Sequence, residues 1–232
     1  MVTKNAEFAK PIAKNAKGAY KMAGGKTVPT CFTTDFFIAE ADEWRGAAWA
    51  MMRERADVEF LIITKRIDRF HVALPNDWGD GYANVRIGCT VENQATADYR
   101  LPLFLATPIQ RKFIACSPLL GPIDLSPYLD GIEHVTVSGE SGRTRAPEKK
   151  AVQLELDVGD APRQDFGFVR ECDLEWVQSL HAQCAAAGVT FWFKGTGSLL
   201  RIGDTLERIN PFKQGTRARE LGLSNVSARN LF

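Results

Sequence analysis

The chain lacks the cysteine spacing that a metal centre or a disulfide framework would need. Its five cysteines, Cys31, Cys89, Cys116, Cys172 and Cys184, are odd in number and scattered, with no CxxC or Cys/His pattern. That argues against a zinc site and against a disulfide-stapled fold. Histidine is scarce too: the three, His71, His134 and His181, show no spacing that points to a triad or a metal site. No apolar stretch approaches the roughly 20 residues that span a bilayer, so no membrane partner is expected. The lysine-bearing N-terminus has no apolar run behind it of the secretory kind. Net charge is almost absent, with 29 Lys+Arg against 28 Asp+Glu, which gives no bulk attraction to nucleic acid or membrane. There is no GxGxxG fingerprint, no P-loop, no long-period repeat and no low-complexity tract. A reducing cytoplasm is the simplest setting.

What the chain does have is a pattern that recurs six times. A short apolar run ends abruptly in a polar cluster. Val28–Phe32 closes on Thr33, Thr34 and Asp35, and Phe60–Ile63 closes on Thr64, Lys65 and Arg66. Val85–Cys89 closes on Thr90, Glu92 and Asn93, and Lys112–Ala115 closes on Cys116 and Ser117. Val135–Val137 closes on Ser138, Gly139, Glu140 and Ser141, and Thr190–Phe193 closes on Lys194 and Gly195. Such runs suit strands buried on both faces, as in a parallel sheet covered by helices. In parallel sheets and barrels the reactive groups gather at the carboxyl ends of the strands. Six polar clusters at that same end describe one face of one site.

Helix-like segments fill the gaps. Ala41–Arg55 carries Trp44, Ala48, Met51, Met52 and Arg55 at helical spacing, Asn93 is placed to cap a helix through Leu105, and Asp173 one over Leu174–Ala187 with Gly188 at its end. The link after Lys65 leaves room for only a short helix. Strand–helix alternation with short links marks βαβ units. With six strands in 232 residues, the fold class is α/β. It is expected as a partial (β/α) barrel or an open parallel sheet of about six strands rather than a full eight-stranded barrel. The organisation read from the sequence is a basic lead-in over 1–27, a barrel domain over 28–200, and a basic tail over 201–232. Within the barrel domain, 143–170 is too long for an ordinary connection and is expected to be a lid or insertion on the functional face.

The candidate chemistry sits in the polar clusters. Glu92 follows a buried strand, where a carboxylate can bind a hydroxyl or amine or act as a base; its alternative is the first turn of a helix that Asn93 caps. Ser138–Gly142 is a glycine-punctuated turn in which backbone N–H groups can approach an anion or ribose and Glu140 supplies a charge. Lys65, Arg66 and Lys194 follow apolar runs directly and are candidates to hold an anionic group, or to be surface residues at strand ends. Cys116 reads more readily as a small buried hydrophobe than as a nucleophile. The lysines of the lead-in, and the basic stretch Arg201 to Arg219, can touch phosphates or simply be solvated.

The stretches FLIITKR, CTVENQATADYRLPLF, CSPLLGPIDL, VSGESG and FWFKGTGS closely resemble the phage Gp37/Gp68-like proteins, a domain of unknown function, along nearly the whole chain. The resemblance implies a radical S-adenosylmethionine-like partial barrel, similar to TIM-type folds. It implies S-adenosylmethionine and a [4Fe–4S] cluster as cofactors, the cluster held by three closely spaced cysteines near the N-terminus, the last two as CxxC followed by Tyr. By position, Thr33, Thr34 and Asp35 would lie beside the methionyl end of the cofactor. Thr64, Lys65, Arg66, Thr90, Glu92, Asn93, Glu140, Ser141 and Lys194 would line the rest of the pocket. Glu140, Lys194 and Glu92 are the catalytic candidates. This chain shows no such cysteine segment, because it begins where the resembled proteins have already passed it; the missing part is expected to be lost from the gene, encoded separately, or cut off by a misplaced start codon. It also has Ser117 where the resembled proteins commonly have Glu, Ser138 where they have Gly, and Gly195 where they have Gln.

The leading expectation is a radical S-adenosylmethionine-like protein acting on an unknown small molecule or nucleotide, seen without its iron–sulfur-binding segment. The alternative is a non-enzymatic barrel that binds a nucleotide or nucleic acid. A cofactor-free hydrolase or lyase using Glu140 and Lys194 ranks last, because no nucleophile–base pair is visible.

Overall fold

The computed structural model describes residues 7–142 and 169–226. In chain order these form β1 (Thr27–Thr30), α1 (Asp42–Glu54), β2 (Glu59–Thr64), β3 (Val85–Thr90), α2 (Gln94–Ala106), β4 (Arg111–Cys116) and β5 (His134–Ser138). There follow β6 (Cys172–Asp173), α3 (Leu174–Ala186), β7 (Thr190–Gly195), β8 (Leu199–Ile202), β9 (Thr205–Arg208) and α4 (Gln214–Glu220). Six strands pair in the order β1-β2-β3-β4-β5-β7, each pair parallel. The sheet curls into a half-barrel, so the expected α/β partial barrel of about six strands is what forms.

Each apolar run became a strand, for the reason its composition gave. Residues alternate between two faces along a strand. One set, including Phe60, Ile62, Ile87, Ile114, Val135, Val137, Phe191 and Phe193, joins the large core shared with the helices. The other set lines the concave face, where Leu61, Phe113 and Ala115 form a separate small cluster with Ile63 packed on it. With helices outside and this cluster inside, most residues on both faces are buried, and largely apolar runs result.

The boundaries follow local chemistry. Asn93 accepts from Thr96 N at 3.0 Å while Thr96 Oγ1 accepts from Asn93 N at 3.1 Å, a reciprocal cap that starts α2. Asp173 Oδ1 accepts from Glu175 N at 2.9 Å and starts α3, and Gly188, with φ of 69°, lies just past its end. The link after Lys65 holds a single 3-10 turn, Ile67–Arg69. The first strand stops at Thr30, short of the expected Phe32, because Cys31 turns into the left-handed region with φ of 58°.

The described part of the lead-in is packed. Arg55 is fully buried and its guanidinium donates to the carbonyls of Pro11 and Met22, while both Asp57 carboxylate oxygens take its remaining N–H groups. The same guanidinium lies over the Tyr20 ring, 4.2 Å from its centroid. One buried cation thus pins residues on both sides of the lead-in turn to the end of α1. The stretch expected as a basic tail folds, as far as residue 226, into the antiparallel β8–β9 pair and α4, with β8 also pairing β6.

Both edges of the half-barrel are closed to further strands. Lys26 O accepts from Glu59 N, which sets the alternation so that Pro29, lacking an N–H, stands where β1 would face outward. On the far edge, Phe191 N donates to Asn225 Oδ1 at 2.7 Å and Phe193 N to Ser224 Oγ at 3.0 Å, while Asn225 N donates back to Phe191 O.

Candidate functional site

The carboxyl ends of the strands carry the polar clusters, and the structure sorts them into three groups. At the β1–β2 corner, Asp35 works as a tie. Its Oδ1 accepts from Thr64 Oγ1 at 2.8 Å and from Phe37 N at 2.9 Å, and its Oδ2 accepts from Lys65 N at 2.7 Å. Thr33 and Thr34 are exposed beside it. With Asp35, Cys31, Phe32 and Phe36 they line a cavity of about 620 Å³ that follows the edge strand β1. Arg66 N donates to Thr64 Oγ1, which continues the same turn.

At the end of β3, Glu92 is buried and doubly paired. Lys65 Nζ lies 2.5 Å from its Oε1 and Arg100 Nη1 lies 2.7 Å from its Oε2. Arg100 also donates to Thr90 O at 2.8 Å, so the buried Thr90 takes part through its carbonyl. Arg100 is eight residues beyond Glu92, two turns along α2, a spacing that sequence reasoning overlooked. Asn93 serves as the α2 cap, and its side-chain oxygen is occupied there.

The third group lines a cavity of about 440 Å³ between the ends of β4, β5 and β7. Ser117, Ser138, Glu140, Ser141, Lys194 and Gln214 are on its wall. Ser117 Oγ and Ser138 Oγ are 2.5 Å apart, and Ser141 Oγ donates to Gln214 Oε1. Glu140 is held by Arg170, whose Nη2 is 2.7 Å from Oε1 and whose Nε and backbone N both reach Oε2. Burial by itself would raise the Glu140 carboxyl; the Arg170 hydrogen bonds and charge, with Lys65 adding to them, outweigh it and hold the group below the ordinary carboxylate range. Glu140 therefore stays an anion at neutral pH, suited to binding a donor rather than to taking a proton. Lys194 lies within β7, one residue before its end, exposed and on the cavity wall. Lys65 acts on Glu140, and Glu92 on Arg170, through charge, so the groups share one electrostatic rim.

The glycines of Ser138–Gly142 serve close backbone packing. Gly139 N donates to Gly195 O at 3.0 Å and Ser198 N to Glu140 O at 2.8 Å. A Cβ on Gly139 would sit 2.4 Å from Thr196 O, and one on Gly197 would sit 2.7 Å from Gly139 C. The N–H of Gly139 is committed to this seam. The expected lid over 143–170 lies outside the described residues except for its last two, of which Arg170 supplies the pair to Glu140. Nothing local in the sequence marks Arg170 as that partner. Gln214, which joins Ser141 to Ser198 Oγ, was likewise invisible because it is brought in by α4 from a distant part of the chain.

Four of the cysteines are buried in separate elements, and burial lifts the thiols of Cys89, Cys172 and Cys184 to about 12 and that of Cys116 higher still. Among the described residues no three His, Cys, Asp or Glu side chains converge as a metal site would require. No described helix is long and apolar enough to cross a membrane.

A family model described as "Protein of unknown function (DUF5131)" matches residues 2–160, more than half of the chain. Neither the curated proteins nor the solved structures contain a match. Ser117, Ser138 and Gly195 all line the 440 Å³ cavity.

Proposed function

The chain belongs to the family of proteins of unknown function DUF5131, and from that premise we propose that it is the barrel body of a radical S-adenosylmethionine-type protein. Its carboxyl rim binds S-adenosylmethionine and a substrate. The observation that carries this reading is the half-barrel of six parallel strands with charged and hydroxyl side chains from successive strands on one rim. That is where the ligands of parallel β/α folds sit.

An iron–sulfur cluster does not fit the described residues. Cys31 alone is exposed, the other four thiols are buried, and among the described residues no three donors converge. The donors and acceptors of S-adenosylmethionine do fit. Its ammonium and ribose hydroxyls need an ionised carboxylate, and Glu140, held below the ordinary carboxylate range by Arg170, stands on the cavity wall. Its carboxylate needs a cation, and Lys194 stands on the cavity wall. A volume of about 440 Å³ lies within the range of small-molecule sites. In this protein class S-adenosylmethionine would yield a hydrogen-abstracting adenosyl radical only on receiving one electron, for which the described residues hold no donor site. The residues of this chain bind, orient and screen from water.

The test is a calorimetric titration of the purified chain with S-adenosylmethionine and S-adenosylhomocysteine. The expected result is saturable binding that Glu140→Gln and Lys194→Ala both weaken. No heat from either ligand, with the chain shown folded by circular dichroism, overturns the reading. Binding that persists in a full-length, anaerobically reconstituted protein without any cleavage of S-adenosylmethionine moves the assignment to the non-enzymatic alternative, a binding module.

A further inference from the structure

The concave face of β5 carries two buried polar atoms that the proposed function leaves unused. His134 and Thr136 stand two residues apart on that strand, so their side chains project from the same face. Beside them on β4 are Phe113 and Ala115, members of the small apolar cluster of the concave side. His134 is 3% exposed and Thr136 is 7% exposed. Neither His134 Nε2 nor Thr136 Oγ1 has a hydrogen-bond partner. Buried polar groups of folded proteins are hydrogen-bonded in all but a few cases, so two neighbouring orphans on one strand face point to an occupant.

The hydrogens fix the chemistry of that occupant. Thr190 Oγ1 donates its only hydrogen to Glu133 O at 2.8 Å. Toward His134 Nδ1, also 2.8 Å away, the same oxygen can only accept, so Nδ1 carries the ring proton. The ring is neutral, held so by burial and then by the Arg86 charge, and Nε2 is a bare lone pair that calls for a donor. Thr136 has a hydroxyl hydrogen that calls for an acceptor. The lone pair disfavours an anion. A cation is disfavoured by the Arg86 guanidinium, which lies in the network with Glu59, Glu133 and Arg111. The occupant is therefore neutral and both donates and accepts. It is also small, because neither residue lines either of the two cavities described above.

We infer that His134 Nε2 and Thr136 Oγ1 bind one water molecule between them, which donates to the histidine and accepts from the threonine. Positions two apart on one strand lie about 6.6 Å apart, close enough for a water with two bonds of about 2.8 Å to join their side chains. The site is separate from the carboxyl rim, so it stands whatever ligand the rim takes.

The experiment compares the wild-type chain with Thr136→Val and Thr136→Ser, by thermal unfolding and by the ring nitrogen signals of His134 in a nitrogen-15 spectrum. Those signals are assigned by their loss in His134→Gln. Thr136→Val keeps the shape and removes the hydroxyl. It is expected to lower Tm by about 1–6 °C, the cost of one hydrogen bond in a chain of this size. If the hydroxyl bonds nothing, valine in its place is neutral or stabilising, and an unchanged or raised Tm overturns the inference. His134 is expected as the Nδ1–H form. Its Nε2 signal should move in Thr136→Val, while Thr136→Ser, which keeps the hydroxyl, should leave it in place. A ring protonated on Nε2 in the neutral form overturns the inference. So does an Nε2 signal that stays put in Thr136→Val, because the water would then not be shared.

Discussion

Replacing Gly139 with alanine tests whether the glycines of the Ser138–Gly142 turn exist for a ligand or for the fold. The added Cβ would lie 2.4 Å from Thr196 O, 2.8 Å from Cys172 Cβ and 2.9 Å from Thr196 C. Two of these are backbone atoms, so no side-chain rotation relieves them. Restoring van der Waals distance would move the turn away from the segment after β7 by roughly 1 Å. That takes the Gly139 N–Gly195 O bond from 3.0 Å and the Ser198 N–Glu140 O bond from 2.8 Å toward or beyond hydrogen-bonding range. Losing both, with their groups left partly buried, costs about 2–4 kcal/mol. For a chain of this size that is a fall in Tm of about 4–16 °C, since each kcal/mol shifts Tm by about 2–4 °C. The assay is thermal unfolding followed by circular dichroism, with Gly131→Ala as the control. Gly131 has φ of 72° and nothing within 4 Å, so its variant bears only the left-handed backbone strain, about 1–2 kcal/mol. If Gly139→Ala melts level with the wild type, the packing account is refuted and the turn reverts to a ligand-approach role.

Two further outcomes follow from buried groups. His134 is buried and its pKa is held near 4, mainly by burial and then by the Arg86 charge. The unfolded chain takes up a proton near pH 6.5 that the folded chain refuses until about pH 4. Stability therefore falls as pH drops through that window, by about 3 kcal/mol, and His134→Gln should flatten the Tm profile between pH 4 and 6.5; an unchanged slope would discount His134 as the cause. Cys31 is exposed and the other four thiols are buried, so a disulfide reagent should titrate one thiol in the native chain and five after denaturation, and a second fast native thiol would contradict the burial pattern.

Much of this arrangement was legible because it is local. A run such as Phe60–Ile63 declares a strand by composition, and Asn93 and Asp173 declare helix starts by their side-chain chemistry. What stayed hidden depends on register and on distant partners. Arg86 sits inside an apolar run, yet it reaches toward Glu59 and Glu133 across the concave face, with Arg111 joining the same two carboxylates. The only trace in sequence is a charge at an odd position of a buried strand, and its partners come from three other segments. His134 looked isolated for the same reason: its Nδ1 meets Thr190 Oγ1 at 2.8 Å, from a strand 56 residues on. Lys65 and Glu92 were each readable as strand-end residues, but their pairing required knowing that β2 and β3 are neighbours. Glu140 was identified while its counter-ion was not, so its carboxylate appeared freer than it is. The six-strand count was right because each strand of that sheet has its own apolar signature, whereas β6 is two residues long, β8 is four residues interrupted by Arg201, and β9 is mostly exposed.

The closed edges described for β1 and β7 bear on how this sheet can grow. A half-barrel invites completion, since a second half placed edge to edge would make a ring. Here one seam lacks a donor at Pro29 and the other is already occupied by Ser224 and Asn225. A copy pairing along β1 would lack a bond at Pro29, and one pairing along β7 would have to displace Ser224 and Asn225. Anyone seeking to close the ring by design must first remove a proline at one margin and unfasten Ser224 and Asn225 at the other.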